Sequence, residues 1–322
     1  MTPHDMETIR DFHLHPDQAP VITLSAGTED IGRQMTRFCD GLMQLNPRIQ
    51  LKKDRDVPFQ EPAMVIGRHN NIAYHAVPEG KWLRLFLQAL SEDSRKPPDE
   101  LDAGLALQLS QINLPVALKS YVATQCPHCP EAVRRLQILA AGSSMIRLRI
   151  INAELFPEWT RADQIRSVPT VLLDDRFRWT GTFQLEELLT MSLERDPAQL
   201  SSASLRQIIE DGEAQRVANM MAESGQVFPA FIKLLAHERW SVRLGAMVAA
   251  EYLADQSPVL ALELSDQLWD CFSDIAEQTQ GDVLHVIGQV KSQKTRSYLA
   301  KVISGNYDET VKEVASEILN DF

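Results

Sequence analysis

The sequence predicts an α/β protein in which one α/β unit occurs twice, followed by an all-helical domain. Residues 20–95 and 96–197 each show the same order of short strands and amphipathic helices. Residues 198–322 lack strand alternation and are rich in Ala, Leu, Glu and Gln at helical spacing. Residues 1–19 are polar and are expected to form an N-terminal tail.

Composition and charge limit the functional classes. The chain has 322 residues, of which 44% are hydrophobic and 24% charged, enough for two or three domains with apolar cores. Its net charge of −12 argues against a nucleic-acid surface, which needs a basic face. We find no apolar run of membrane-spanning length and no signal-peptide core, so no membrane partner is expected. Four cysteines without an export signal favour a reducing, cytoplasmic location.

In the first copy, helical spacing and short apolar runs define six elements. Apolar residues recur at helical spacing from Ile31 to Leu45, and Asn46 and Pro47 stop that helix. The predicted elements are strands 21–24, 49–51, 62–67 and 71–76 and helices 31–45 and 81–90.

The second copy repeats this order after a linker, 91–98, and a short helix, 101–112. Residues 28–31 of the first copy stand where the cysteine motif, 126–129, stands in the second, so the first copy lacks cysteines at this position. The predicted elements are strands 116–122, 146–151, 170–173 and 177–180, a helix after the cysteine motif, and helices 157–165 and 185–193.

The most informative motif is Cys126-Pro127-His128-Cys129, which joins a predicted strand to a predicted helix. Two cysteines one helical turn apart form a dithiol that can close to a strained disulfide. The partial positive charge of the helix N-terminus favours the thiolate of Cys126, and the thiolate is the nucleophile. A protonated His128 would stabilise that anion further. All four residues of the motif are therefore candidate catalytic residues.

Zinc binding and a structural disulfide are the other roles of such a pair. A structural zinc site needs four ligands, commonly two such pairs, whereas Cys39 and Cys271 are single and distant. A disulfide across two residues removes little chain entropy from the unfolded state. We therefore favour redox chemistry, expect no metal, and expect Cys39 and Cys271 to belong to the core.

A proline stands at the mouth of a strand in each copy, Pro62 and Pro169. Proline cannot donate to a β-ladder, so it is placed where a strand begins. A cis peptide bond at such a position marks a tight turn. Pro169 lies between Val168 and Thr170, some forty residues beyond the cysteines.

Residues 20–195 resemble the tandem thioredoxin-fold disulfide oxidoreductases of archaea and bacteria, and equally the N-terminal domain of the flavoprotein subunit of alkyl hydroperoxide reductase. The motifs that carry the resemblance are Thr124–Pro130, Phe156–Trp159, Ser167–Thr170 and Gly181, with Glu61–Ala63 and Val77–Gly80 in the first copy. The resemblance implies two thioredoxin-like folds, the first without CxxC.

The resemblance also implies roles. Cys126 would attack, Cys129 would resolve, and the backbone at Val168, Pro169 and Thr170 would bind the substrate chain. The implied partners are protein thiols and disulfides, including a peroxiredoxin or a donor of the thioredoxin-reductase type.

The sequence departs from the family pattern in three respects. Thioredoxins carry a buried acid in the strand before the cysteines for proton transfer, but residues 116–125 contain no carboxylate, only Lys119, which gives His128 more weight. One glycine, Gly181, stands where glutaredoxins have two, so glutathione use is weakly supported. A GxGxxG motif for flavin or nicotinamide is absent, and no cofactor is expected.

The C-terminal segment resembles HEAT repeats, in which helix pairs stack because one pair cannot bury its apolar face. Residues 241–246 recur loosely as 310–315, each followed by further periodic apolar positions. Two repeats are clear where a solenoid needs about three, so an ordinary helical bundle remains open.

Two functions follow from these patterns. The leading hypothesis is a cytoplasmic thiol–disulfide oxidoreductase whose HEAT-like domain docks partner proteins. The alternative is a HEAT-type interaction or scaffold protein that the disulfide switches without turnover. Catalytic turnover of a disulfide substrate distinguishes the two.

Overall fold

The computed structural model describes residues 1–14, 19–91 and 101–322. They form two compact units, Met1–Glu194 and Arg195–Phe322. The predicted linker 91–98 and the predicted boundary between residues 95 and 96 lie outside the described residues, apart from Ser91.

The first unit contains all the predicted strands, each within two residues of its predicted ends. The strands are β1 Val21–Ser25, β2 Gln50–Lys53, β3 Ala63–Ile66, β4 Ile72–His75, β5 Val116–Val122, β6 Ile146–Asn152, β7 Thr170–Leu173 and β8 Phe177–Thr180. The helices are α1 Pro3–Arg10, α2 Asp30–Leu45, α3 Lys81–Ser91, α4 Ala103–Ser110, α5 Cys129–Gly142, α6 Pro157–Ala162 and α7 Leu185–Leu193.

The two copies form one continuous sheet. Its strand order is β2-β1-β3-β4-β6-β5-β7-β8, so each copy contributes four neighbouring strands. Within each copy, one strand pair is parallel and two are antiparallel, which confirms the duplicated order. The copies meet where β4 runs parallel to β6, with Ile72 opposite Leu148 and Tyr74 opposite Ile150. The two copies therefore share one sheet within a single compact unit.

Two buried polar side chains of the first copy form hydrogen bonds with the second copy. The Asn71 amide donates to the carbonyl oxygens of Ala140 and Ile146, both at 2.7 Å. The Tyr74 hydroxyl accepts a hydrogen bond from the Gln137 amide at 2.5 Å, and burial raises the pKa of that hydroxyl. Buried polar groups cost free energy unless they are paired, so these bonds favour one arrangement of the copies.

The segment predicted to be a polar tail begins with a packed helix. In α1, Thr2 and Asp5 form a capping box, with the Asp5 backbone N–H 3.1 Å from the Thr2 hydroxyl. Ile9 is fully buried and Asp5 is only 1% exposed. The Asp5 carboxylate accepts a hydrogen bond from the Gly80 backbone N–H at 2.8 Å. The polar composition obscured this helix because few of its residues are apolar.

A polar cluster ties the strand-entry loop of the first copy to the second copy. His75 is fully buried, and its Nδ1 donates to the Pro62 carbonyl at 2.8 Å while its Nε2 accepts from Arg149 at 3.1 Å. The Arg149 guanidinium lies 4.8 Å from the Trp159 ring centre. Burial, and then the charge of Arg149, lowers the pKa of His75 well below its usual range.

The second unit is helical throughout. Its helices are α8 Ser202–Glu210, α9 Ala214–Ser224, α10 Pro229–Leu235, α11 Trp240–Gln256, α12 Pro258–Asp270, α13 Glu277–Gly288, α14 Gln293–Ser304 and α15 Glu309–Asn320. In one row of helices, α9 contacts α11, α11 contacts α13, and α13 contacts α15. In a second row, α8 contacts α10 and α10 contacts α12. Such rows are what stacked helix pairs produce, although the HEAT assignment remains a prediction. Among the described helices, none is both long and apolar enough to cross a bilayer.

A chain shortened to residues 1–198 should fold by itself, because the first unit completes its own sheet and core. Circular dichroism should show mixed α/β structure with one cooperative thermal transition. An unfolded or insoluble product would contradict the unit boundary.

The stability of this shortened chain should fall as the pH is lowered from about 6.5 to 5. The unfolded state binds a proton at His75 near pH 6.5, whereas the folded state holds the ring neutral. Protonation therefore favours unfolding, by up to about 1.4 kcal/mol per pH unit. Urea unfolding should show a shallower pH slope for His75→Asn than for the wild-type sequence. Equal slopes for wild type and His75→Asn would refute this assignment.

Candidate active site

The two motif cysteines lie between β5 and α5. Cys129 is the first residue of α5 and His128 is its N-cap, although the His128 side chain makes no capping hydrogen bond. Pro130 occupies the first turn, where a missing backbone N–H costs nothing. Cys126 precedes the helix and lies near its N-terminus through space. The exposed side chains of Pro127 and His128 complete the turn.

The surroundings of the two sulphurs differ. The Cys126 Sγ accepts a hydrogen bond from the Cys129 backbone N–H at 3.2 Å and is partly exposed. Cys129 is fully buried, and both cysteines are free thiols. Burial, and then the hydrogen bond with Cys126, raises the pKa of the Cys129 thiol to about 12. This arrangement leaves one accessible sulphur supported by a helix-end amide and one protected sulphur beneath it.

The strand-entry proline lies against the dithiol. The Val168–Pro169 peptide bond is cis, as is Glu61–Pro62 in the first copy. The Val168 carbonyl oxygen lies 3.7 Å from the Cys126 Sγ. Thr170 is buried and donates to the Ser167 carbonyl at 2.7 Å. The structure thus brings Val168 to the sulphur, whereas the Thr170 side chain holds the loop.

Lys119 faces away from the dithiol. Its ammonium pairs with Asp163 at 2.8 Å and with Asp175 at 2.6 Å, and the Tyr121 hydroxyl also donates to Asp163 at 2.5 Å. Because side chains alternate along a strand, Ser120 points to the opposite face. It is fully buried, and its hydroxyl has no partner among the described residues. Through its ion pair with Asp163, Lys119 holds the loop after α6 against the sheet.

The other two cysteines, Cys39 and Cys271, differ in burial. Cys39 is fully buried with its Sγ 3.5 Å from the Met64 sulphur, which confirms the predicted core position. Cys271 is partly exposed at the end of α12, so the prediction of a core position is wrong for this residue. The described residues contain no group of three His, Cys, Asp or Glu side chains placed to hold a metal ion.

The sequence patterns did not reveal that a lysine side chain lies at the cysteine motif. Lys81, the first residue of α3 in the first copy, donates from its Nζ to the backbone carbonyl of Cys126 at 2.6 Å. The two residues are 45 positions apart in the chain. No local pattern could have indicated this contact, because it depends on how the two copies join.

Residues 117–193 match the Thioredoxin domain family. The F subunit of alkyl hydroperoxide reductase from Pseudomonas aeruginosa PAO1 is 26% identical over 171 residues, which is 52% of this chain and 32% of that protein. A Bacillus subtilis protein named NADH dehydrogenase is 25% identical over 172 residues, 52% of this chain and 33% of that protein. The chain thus spans about a third of the length of these curated relatives.

Among solved structures, a protein disulfide oxidoreductase from Aeropyrum pernix K1 is similar to 62% of this chain over 93% of its own length, with a TM-score of 0.48 and 16% identity. The N-terminal domain of an alkylhydroperoxide reductase from Enterococcus faecalis covers 59% of this chain and 98% of its own, with a TM-score of 0.47 and 18% identity. The family match and the strand order together show an α/β fold. It consists of two tandem thioredoxin-like folds, the first without CxxC, and is followed by an all-helical unit.

Proposed function

We propose that the protein is a thiol–disulfide oxidoreductase that exchanges disulfides with partner proteins through Cys126 and Cys129. The observation that carries the proposal is the pairing of a partly exposed sulphur with a buried one at the start of α5, beside the cis-Pro169 loop. An accessible thiolate at a helix end is suited to attack, and a protected thiol is suited to resolve.

The exchange proceeds in two displacements. The Cys126 thiolate attacks one sulphur of a partner disulfide, so a mixed disulfide forms and one partner thiolate leaves. Cys129 then loses its proton and attacks the Cys126 sulphur, which expels the second partner thiolate. The partner gains two electrons and the Cys126–Cys129 pair becomes a disulfide. The same steps in reverse oxidise a partner dithiol.

The loop at Val168, Pro169 and Thr170 is the proposed contact for the partner's backbone. The Val168 carbonyl already lies beside the attacking sulphur, so an extended chain along this loop would present its disulfide to Cys126. The relatives named as F subunits of alkyl hydroperoxide reductase favour a peroxiredoxin or a reductase-type donor as partner. No cofactor is needed for these displacements, and a reducing cytoplasm would supply the electrons.

The helical unit is the proposed docking element for partner proteins. Trp240 is 60% exposed and Leu244 is 41% exposed, and they lie one turn apart on α11. An aromatic and an aliphatic side chain on one helical face are suited to serve as anchors of a protein interface.

The Cys126→Ser variant should lose disulfide exchange down to the background rate, because a hydroxyl cannot form the mixed disulfide. The assay follows reduction of a small disulfide over many equivalents. Cys39→Ala and Cys271→Ser should retain activity within about twofold, since neither thiol lies at the start of α5. Activity that persists in Cys126→Ser would refute the catalytic assignment. A wild-type protein that reacts once and stops would favour the redox-switched scaffold.

The reduction potential of the dithiol should lie between about −120 and −230 mV, more oxidising than thioredoxin at about −270 mV. A positive charge on His128 would stabilise the reduced thiolate, so His128→Gln should lower the potential by about 15 to 30 mV. Equilibration with glutathione, followed by alkylation of free thiols, measures both values. A wild-type potential at or below about −270 mV that His128→Gln does not change would exclude a role for this side chain.

A further inference from the structure

The cysteine-free copy places a positive charge at the dithiol of the other copy. The Lys81 ammonium donates to the Cys126 carbonyl oxygen at 2.6 Å. That oxygen and the Cys126 sulphur belong to the same residue, four covalent bonds apart, so the charge lies at the turn that carries the sulphur. The contact links α3 of the first copy to the turn before α5 of the second.

The position of Lys81 is determined by the residues on either side of it. Gly80 has a φ of +58°, a left-handed conformation that glycine adopts without strain. Its backbone N–H donates to the buried Asp5 carboxylate of α1 at 2.8 Å. Trp82, the next residue, is buried, and the Lys81 ammonium lies 5.8 Å from its ring centre. Helix α1, Gly80 and Trp82 thus hold the start of α3 in place.

We propose that Lys81 is a positioning residue of the dithiol: its hydrogen bond to the Cys126 carbonyl holds its charge at the turn, and this charge promotes the attack of Cys129 on the mixed disulfide. The proposal rests on the proposed function, because it concerns a step of that reaction.

In the second displacement, one disulfide bond forms and one breaks. The Cys129 thiol gives its proton to a base in the solvent, and the thiolate forms a bond to the Cys126 sulphur. The bond between Cys126 and the partner sulphur breaks, and the partner leaves as a thiolate with that electron pair. One negative charge is present on the sulphurs throughout the displacement, and a nearby ammonium stabilises it.

The surroundings of Cys129 show why a cation matters at this step. Burial raises the pKa of Cys129 to about 12, and the Lys81 ammonium acts in the opposite direction. On β5 no carboxylate is available to accept the proton, and Lys119 is paired with Asp163 and Asp175. The nearby Glu79 carboxylate is paired with the N-terminal ammonium at 2.9 Å.

The test uses full-length wild type, Lys81→Met, Lys81→Gln and Lys81→Arg, with Lys52→Met as the matched control. Lys52 is an exposed lysine on β2 that pairs with Asp54. Reduced protein is mixed with a small disulfide at pH 7, quenched with acid, and the mixed disulfide at Cys126 is quantified by mass spectrometry over time.

The mixed disulfide should persist about three- to tenfold longer in Lys81→Met, the size expected for one charge a few ångströms from a solvated site. Lys81→Arg should restore the wild-type lifetime within about twofold, because the charge is retained. Lys81→Gln should behave like Lys81→Met although its amide can still donate a hydrogen bond, and Lys52→Met should behave like wild type. Thermal unfolding checks that every variant is folded.

A second measurement does not depend on turnover. At pH 7, iodoacetamide should modify Cys126 about threefold more slowly in Lys81→Met than in wild type, because less of the pair is ionised. Equal lifetimes or equal modification rates would overturn the role of Lys81, as would wild-type behaviour of Lys81→Gln. Absence of any exchange in wild type, with modification still slowed in Lys81→Met, would instead overturn the proposed function and leave the electrostatic contact standing.

Discussion

The parallel pairing of β4 with β6 is the constraint on which the first unit depends. Each strand would otherwise be the open edge of a four-stranded sheet, with unpaired backbone N–H and C=O groups. Their pairing satisfies those groups and produces one eight-stranded sheet. The buried bonds of Asn71 and Tyr74 fix the register, because a slip would leave polar groups unpaired in the core. The contact of Lys81 with the Cys126 turn depends on this joint.

The two copies keep similar backbones but differ in chemistry. Both contain a cis-proline at the start of a buried strand. In the second copy the residue before it, Val168, faces a thiol. In the first copy the equivalent residue is Glu61, whose carboxylate accepts a hydrogen bond from the fully buried Ser25 hydroxyl. The first copy therefore retains the cis-proline turn with a carboxylate at this position, and its strand β4 pairs with β6 of the second copy.

The two faces of the sheet carry different polar groups. One face carries α3 and α5, with the dithiol at the start of α5. The other face carries the ion pairs of Lys119, which hold the loop after α6, and the hydrogen bonds of His75, which hold the strand-entry loop of the first copy. These groups are paired, and His75 is fully buried, so they favour one arrangement of the packed elements. The Cys126 side chain, by contrast, is partly exposed.

The sequence by itself determined the strands, most helices and the position of the cysteine motif between a strand and a helix, because periodicity, cysteine spacing and strand-entry prolines act over a few residues. It also placed Cys39 in the core. Tertiary structure alone decided the joint between β4 and β6, the packing of α1, the direction of Lys119 and the approach of Lys81 to Cys126. Each of these joins residues far apart in the chain, and a local pattern carries no information about which distant backbone group a side chain will meet.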